Sequence, residues 1–163
     1  MSRQERLSRA IQLRARGEVE QARELLLELS AEYPSDAEVA YQTAWAHDKL
    51  GLETEAVPFY ERALAGDGLS GVDRRGAFLG LGSTYRVLGR YEEAVRVLDR
   101  GVAEFPDDAG LQTFLAMALY NTGRSRESVS LLLKLLATTS DAETIRLYRR
   151  AISFYADDLD ATQ

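Results

Sequence analysis

The chain contains 163 residues, of which 45% are apolar, and it carries a formal net charge of −6. The apolar fraction excludes a wholly disordered chain, and the absence of cysteine excludes a disulfide scaffold, a zinc finger and a cysteine nucleophile. A single histidine excludes a metal site built from several histidines, and the acidic balance disfavours non-specific binding to nucleic acid. The abundance of alanine, leucine, glutamate and arginine favours helices over strands.

No segment of the sequence is typical of a targeting signal or a membrane span. The longest apolar stretch runs from Leu131 to Ala137, is interrupted by Lys134 and is far too short to cross a bilayer. Residues 1–30 mix arginine with glutamate and lack the apolar core of a secretory signal. We therefore expect a soluble, cytoplasmic protein that contacts neither membranes nor nucleic acid. Arginine greatly outnumbers lysine, a coding bias typical of GC-rich bacterial genomes.

Three markers recur with a common period along the chain, which indicates an array of internal repeats. The first is a set of four glycines separated by 34, 38 and 34 residues: Gly17, Gly51, Gly89 and Gly123. The second is a small residue five positions after each glycine: Ala22, Ala56, Ala94 and Ser128. The third is a turn-forming residue seventeen positions after each glycine: Pro34, Gly68, Pro106 and Ser140.

Each unit is predicted to form two helices that flank its glycine. In the third unit, an apolar stripe at helical spacing precedes Gly89: Phe78, Leu81, Gly82, Tyr85 and Leu88. A second stripe follows the glycine: Tyr91, Ala94, Val95, Leu98, Val102 and Phe105. A short helix with one apolar face is marginal in water by itself, so successive hairpins must stack on one another.

The third unit resembles a tetratricopeptide repeat (TPR) at these positions: Phe78, Leu81, Gly82, Tyr85, Gly89, Tyr91, Ala94, Leu98 and Pro106. The second and fourth units keep much of the pattern, although Ser128 replaces the usual alanine. The first unit is the weakest, because Arg6 and Arg9 lie where apolar residues are usual. The resemblance covers residues 3–142 and implies an all-α fold, a right-handed α-solenoid (superhelix) of four helical hairpins plus a capping helix.

The resemblance also predicts the organisation of the chain. One TPR domain is expected over residues 3–156, with repeats at about 3–36, 37–70, 75–108 and 109–142. A capping helix is expected at about 141–156, and a polar tail at 157–163.

Helix starts are predicted from three capping boxes, in which a serine and the glutamate three residues later each bond the other's backbone. The three pairs are Ser2 with Glu5, Ser35 with Glu38, and Ser140 with Glu143. The last pair is predicted to open a continuous ninth helix from about Asp141 to Tyr155.

Two departures from the period carry structural expectations of their own. Four extra residues between the second and third units lie in residues 66–71, which contain three glycines and predict a long, mobile connection. This connection is interpreted as a tolerated loop insertion or as a hinge. Pro58 falls inside a predicted helix, where proline is tolerated only in the first turn. We therefore expect that helix to start late, near Thr54, or to be kinked at Pro58.

In the TPR family, the first helices of successive units line a concave groove, so the resemblance implies a partner-binding surface there. The candidate residues lie on the exposed side of these helices and on the capping helix: Tyr41, Trp45, Asp48, Lys49, Leu79, Ser83, Arg86, Thr113, Met117, Tyr120, Asn121 and Tyr148. Aromatic residues, methionine and arginine are enriched at protein interfaces. They predict a non-enzymatic module that binds an extended peptide or a partner helix, with Arg86 and Lys49 contacting its carboxylates.

Other interpretations stay open at this point. Trp45 and Met117 also suit simple packing between adjacent first helices, and the aromatic strip from Trp45 to Tyr120 also suits a homodimer surface. A peptide-pheromone sensor is a further alternative, since some bacterial members of the family have that role. Catalysis is disfavoured, because His47 and Asp48 are sequence neighbours that point about 100° apart on a helix. His47 is expected to be a core residue, and no metal or cofactor is expected.

Overall fold

The computed structural model describes residues 1–162, which form ten α-helices and no β-strand. The first five helices are α1 (Arg3–Ala15), α2 (Val19–Glu32), α3 (Ala37–Lys49), α4 (Glu53–Ala65) and α5 (Gly71–Val87). The remaining five are α6 (Tyr91–Glu104), α7 (Ala109–Asn121), α8 (Ser125–Thr139), α9 (Glu143–Leu147) and α10 (Arg149–Asp157). The predicted all-α fold is confirmed.

Tight turns at four glycines separate the two helices of each predicted pair. Each of these glycines adopts a positive φ between 70° and 86°, a conformation that residues with a side chain rarely adopt: Gly17, Gly51, Gly89 and Gly123. In every case the next helix begins two residues after the glycine. The periodic glycines are therefore confirmed as helix-terminating turns.

The first compact unit comprises Met1–Gly89 and contains α1 to α5. Each of these helices packs against the next one along the chain, and α3 also contacts α1 and α5. The core between α1, α2 and α3 consists of apolar side chains without exposed surface: Leu7, Ala10, Leu26, Leu29, Val39 and Ala46. The burial of each leucine or valine contributes about 1.5–3 kcal/mol to folding.

The second compact unit begins at Arg90 and contains α6 to α10. Within it, α7 packs against both α6 and α8, and α10 packs against α8. Ser128, which replaces the alanine usual in the repeat, is buried. Its hydroxyl donates a hydrogen bond to the backbone carbonyl of Ala116 at 2.6 Å. The serine is therefore accommodated without an unpaired polar atom in the core.

The three predicted capping boxes have different outcomes. The first is confirmed, because the Ser2 hydroxyl accepts from the Glu5 backbone N–H and the Glu5 carboxylate accepts from the Ser2 backbone N–H. The second is wrong: Asp36 caps α3 and accepts from the Val39 N–H at 3.0 Å. Asp36 is favoured there because its carboxylate also binds the guanidinium of Arg3, with two donor–acceptor distances of 2.8 Å.

The third capping box is also wrong, and the predicted ninth helix is broken in two. The Ser140 hydroxyl accepts from the backbone N–H of Ala142, two residues on, and α9 begins only at Glu143. Tyr148 then separates α9 from α10. The five residues of α9 include no buried side chain, whereas Ala156 of α10 is buried. Of the two helices, α10 is the one that packs closely against α8.

The residues inserted between the second and third units extend a helix and do not form a long loop. Only residues 66–70 connect α4 to α5, and α5 has 17 residues where α1, α3 and α7 each have 13. The Ser70 hydroxyl caps the longer helix by accepting from the Asp73 N–H. Arg74, in the added turn, donates to the carbonyl of Leu64 near the end of α4 at 3.3 Å. The predicted long connection is therefore wrong.

Pro58 lies within α4 and does not delay its start. The helix begins at Glu53, within one residue of the predicted Thr54. Glu53 is two residues after Gly51, and the corresponding helices of the other pairs also begin two residues after their glycines, so this start does not depend on the proline. Pro58 thus lies in the second turn, on the exposed side of the helix. Because proline has no backbone N–H, the carbonyl of Thr54 lacks its usual helical donor.

Candidate functional site

A pocket of about 340 Å³ opens between α3, α4 and α5 within the first unit. It is lined by nine residues: Tyr41, Trp45, Asp48, Lys49, Tyr60, Gly76, Leu79, Gly80 and Ser83. Six of the seven predicted contact residues on α3 and α5 are among them, and Arg86 is the exception. The residues that helical spacing selects on α3 and α5 therefore line one continuous surface, because these two helices are adjacent in space.

Three aromatic side chains form one wall of this pocket. The ring centroids of Tyr41 and Trp45 lie 5.8 Å apart, and those of Tyr41 and Tyr60 lie 6.4 Å apart. Tyr41 and Tyr60 are 6% and 2% exposed, whereas Trp45 is 37% exposed. The guanidinium of Arg14, on α1, lies 3.7 Å from the centroid of the Trp45 ring. This cation–π contact holds the most accessible aromatic ring of the wall in place.

Two glycines on α5 make room for the tyrosine rings. A methyl group added at Gly80 would lie 2.5–2.8 Å from three atoms of the Tyr60 ring and hydroxyl, which is shorter than van der Waals contact. A methyl group added at Gly76 would overlap the hydroxyl of Tyr41. These two positions are four residues apart and therefore lie on the same face of α5. The absence of two side chains thus sets how closely α5 approaches the tyrosines.

Asp48 is the acidic group of the pocket, and it has no cationic partner among residues 1–162. Its carboxylate accepts from the Tyr60 hydroxyl at 2.5 Å, and the Thr84 hydroxyl lies 2.9 Å from its other oxygen. The same Thr84 hydroxyl lies 2.7 Å from the carbonyl of Gly80. Since a hydroxyl has one proton, Thr84 donates to only one of these oxygens at a time.

The electrostatic environment changes the titration of both members of the Asp48–Tyr60 pair. Burial raises the pKa of Asp48 and Glu53 raises it further, while the hydroxyls of Tyr60 and Thr84 oppose this shift. Burial and the neighbouring carboxylate raise the pKa of the Tyr60 phenol well above its ordinary value. Tyr60 therefore remains a hydrogen-bond donor throughout the physiological pH range.

The other predicted lining residues complete the pocket from two sides. Leu79 and Ser83 are half-buried on α5, and Lys49 is exposed at the end of α3. Within the described part of the chain, Lys49 forms no ion pair, so its ammonium group is available to a ligand. Arg86, which is a predicted contact on α5, is not among the lining residues.

The remaining predicted contact residues belong to the second unit. Thr113 and Asn121 are half-buried on α7, and the Thr113 hydroxyl donates to the carbonyl of Ala109 within its own helix. Met117 on the same helix is 37% exposed and Tyr120 is 68% exposed. Tyr148, between α9 and α10, is 59% exposed. Their role as partner contacts stays a prediction.

His47 has a structural role, as expected. It is 3% exposed, its Nδ1 lies 2.7 Å from the carbonyl of Thr43, and its ring stacks on Phe59 with centroids 5.1 Å apart. Over residues 1–162, no group of three or more acidic or histidine side chains is arranged to hold a metal ion. None of the helices described there is long and apolar enough to span a membrane.

Sequence reasoning missed three of the lining residues: Tyr60, Gly76 and Gly80. Tyr60 lies on α4, the second helix of its pair, whereas the resemblance predicts contact residues on the first helices and on the capping helix. The two glycines lie four residues apart on α5, a spacing that indicates close approach of a neighbour. That spacing was the available signal, but the identity of the neighbour depends on tertiary packing.

Comparison with known families assigns the chain to a family. A profile described as tetratrico peptide repeat matches residues 37–159, which is most of the chain, and a second tetratricopeptide repeat profile matches residues 6–28. The chain belongs to the tetratricopeptide repeat family. The second match covers the repeat in which the sequence pattern is weakest.

Several solved structures share this TPR fold. MamA from Desulfovibrio magneticus RS-1 is 20% identical, with a TM-score of 0.74, over 96% of this chain and 86% of MamA. YrrB, described as a TPR protein with an unusual peptide-binding site, is 20% identical with a TM-score of 0.73, over 95% of this chain and 77% of its own. A putative kinesin light chain from Podospora anserina is 25% identical with a TM-score of 0.69, over 94% and 84%.

These likenesses place the chain among all-helical TPR solenoid proteins, in agreement with the predicted fold class. No curated protein matches the sequence.

Proposed function

We propose that this TPR chain is a non-enzymatic protein-interaction module, whose first unit binds an extended segment or a helix of a partner protein at the pocket between α3, α4 and α5. The observation that carries the proposal is the gathering of six independently predicted contact residues around one pocket. The description of YrrB as a TPR protein with a peptide-binding site supports the same use of this fold.

The construction of the pocket favours binding. Tyr41 and Tyr60 are almost fully buried, and Trp45 contacts both Tyr41 and Arg14. Because these rings are already fixed in the free protein, a ligand loses little additional side-chain entropy when it contacts them. Rigid aromatic residues in a partly enclosed pocket are typical of the positions that dominate binding energy at protein interfaces.

The proposal is tested with a peptide selected from a random display library on the immobilised full chain. Trp45 is the only tryptophan, so its fluorescence should change as the pocket fills. Replacing Trp45 with alanine should weaken the peptide about thirtyfold, as expected for a hot spot worth about 2 kcal/mol. Fluorescence anisotropy of the labelled peptide measures the affinity of both proteins.

Tyr33→Ala is the matched control for this experiment. Tyr33 is 40% exposed, close to the exposure of Trp45, but it lies after α2 and does not line the pocket. The control should bind the peptide as the wild type does. Equal affinities of Trp45→Ala and wild type, with unchanged circular dichroism, would show that this pocket is not the binding site.

Self-assembly is the alternative use of an exposed aromatic surface. Tyr120 is 68% exposed and Met117 is 37% exposed in the second unit, and such residues are enriched in dimer interfaces. Light scattering over a range of protein concentrations separates the two uses. A molar mass that rises with concentration and falls on Tyr120→Ala would support the dimer.

A further inference from the structure

We propose that the pocket of the first unit recognises a basic side chain, lysine or arginine, in the partner segment, with the Asp48 carboxylate as its acceptor. This inference rests on the proposed function, because it names the chemistry of the ligand at the same site. It follows from three features of the pocket: an unpaired carboxylate, the cost of leaving that carboxylate unpaired, and the aromatic character of the surrounding wall.

The first feature is the unused hydrogen-bonding capacity of Asp48. A carboxylate has about four acceptor positions. Among residues 1–162, the side chains that donate to it are the hydroxyls of Tyr60 and Thr84, and Thr84 shares its proton between Asp48 and the carbonyl of Gly80. About two acceptor positions of this pocket-lining carboxylate therefore remain unused, and residues 1–162 supply no guanidinium or ammonium group within ion-pair distance.

The second feature is the energetic penalty of this arrangement. Removing a carboxylate from water without a cationic partner is unfavourable, and the raised pKa of Asp48 reports that penalty. An asparagine would also accept a hydrogen bond from a hydroxyl, without the cost of a buried charge. A charged group retained at such a position is typical of a site that becomes complete when a ligand supplies the opposite charge.

The third feature is the wall of Tyr41, Trp45 and Tyr60, whose ring faces attract cations. The molecule already uses one of these rings in this way, since the guanidinium of Arg14 lies 3.7 Å from the Trp45 centroid. Arg14 itself is not among the residues that line the pocket. Lys49 is exposed to water, so its repulsion of an incoming cation is screened more strongly than the attraction of the half-buried Asp48.

The experiment uses the full chain and a display-selected, fluorescently labelled peptide that contains lysine or arginine and loses affinity on Trp45→Ala. Asp48→Asn keeps the shape and the hydroxyl partners and should weaken the peptide about tenfold, the size of one charge-assisted hydrogen bond. Asp67→Asn is the matched control, because Asp67 is exposed, lies outside the pocket and changes the net charge equally. This control should leave the affinity unchanged.

A second measurement changes the ligand and leaves the protein intact. Replacing the basic residue of the peptide with norleucine, or with citrulline for arginine, should weaken binding to the wild type about tenfold. The same replacement should have little further effect on Asp48→Asn, because the two changes remove the same interaction. If Asp48→Asn does not fold, the norleucine comparison on the wild type decides the question.

The outcomes separate this inference from the proposed function. Peptides that bind through Trp45 but tolerate both norleucine and Asp48→Asn would overturn the basic ligand while leaving the interaction pocket intact. Selected peptides without lysine or arginine would do the same. Failure to select any peptide that depends on Trp45 would overturn the proposed function and this inference together.

Discussion

Gly80→Ala is expected to destabilise the protein, although the same change in most helices is stabilising. Alanine has a higher helix propensity than glycine by about 0.5–1 kcal/mol. At this position, however, the new methyl group would lie 2.5–2.8 Å from three atoms of Tyr60, which is 2% exposed and bonded to Asp48. Overpacking of this kind costs about 1–3 kcal/mol. The net effect should be a loss of about 1–2 kcal/mol.

Urea unfolding followed by far-ultraviolet circular dichroism measures this difference. Gly71→Ala is the matched control, because it lies in the first turn of the same helix and a methyl group there meets nothing within 4 Å. The control should be as stable as the wild type or slightly more stable. The steric argument would be refuted if Gly80→Ala unfolded at the same or a higher urea concentration than the wild type.

Two further predictions concern helix termini and helix interiors. Pro58→Ala restores a backbone donor to the Thr54 carbonyl within α4. After allowance for the added flexibility of the unfolded chain, it should raise the free energy of unfolding by about 1–2 kcal/mol. An unchanged urea midpoint would contradict this prediction. Asp36→Ala removes the cap of α3 and the partner of Arg3, and should cost about 1–2 kcal/mol at pH 7. Burial raises the pKa of Asp36, but the hydrogen bonds from Arg3 and Val39 outweigh this effect and hold the pKa below its ordinary value. The contribution of Asp36 to the free energy of unfolding is therefore complete above about pH 4 and is lost as the pH falls through the lowered pKa. The difference between wild type and variant should therefore shrink as the pH falls below about 4, and a difference that grows on acidification would contradict the assignment.

The turns of the fold were predictable because their cause is local. A positive φ is a property of one residue, and only glycine adopts it readily, so Gly51 and its counterparts indicate helix ends without knowledge of the tertiary structure. The cap of α3 was not predictable in the same way. Ser35 and Asp36 are both good capping residues, and the choice between them depends on Arg3, which is distant in sequence.

The length of α5 shows the same limit of local reasoning. Three glycines in six residues indicate a loop when only propensity is considered. The structure instead continues the helix to Gly71, because the Ser70 hydroxyl caps it and Arg74 bonds to the end of the preceding helix. A tertiary contact thus outweighed the low helix propensity of glycine.

The residues of α3 and α5 that line the pocket could be named from the sequence, but the pocket itself could not. Residues such as Tyr41 and Leu79 follow from helical spacing, which determines the face of a helix on which a residue lies. Tyr60 and Gly80 depend on the distance between α4 and α5, which periodicity does not report. The role of Asp48 as a partly buried acceptor could likewise not be predicted from the sequence, because it depends on hydroxyl groups from two other helices.

The bond between Arg74 and Leu64 has a consequence for how the first unit opens locally. Arg74 lies in the first turn of α5, donates to a carbonyl near the end of α4, and has its guanidinium 5.1 Å from the ring of Phe78. We therefore expect the ends of these two helices to open together. Backbone amides at the end of α4 and at the start of α5 should exchange with solvent deuterium as a single group. We therefore expect the glycine-rich segment between these helix ends to resist early proteolysis.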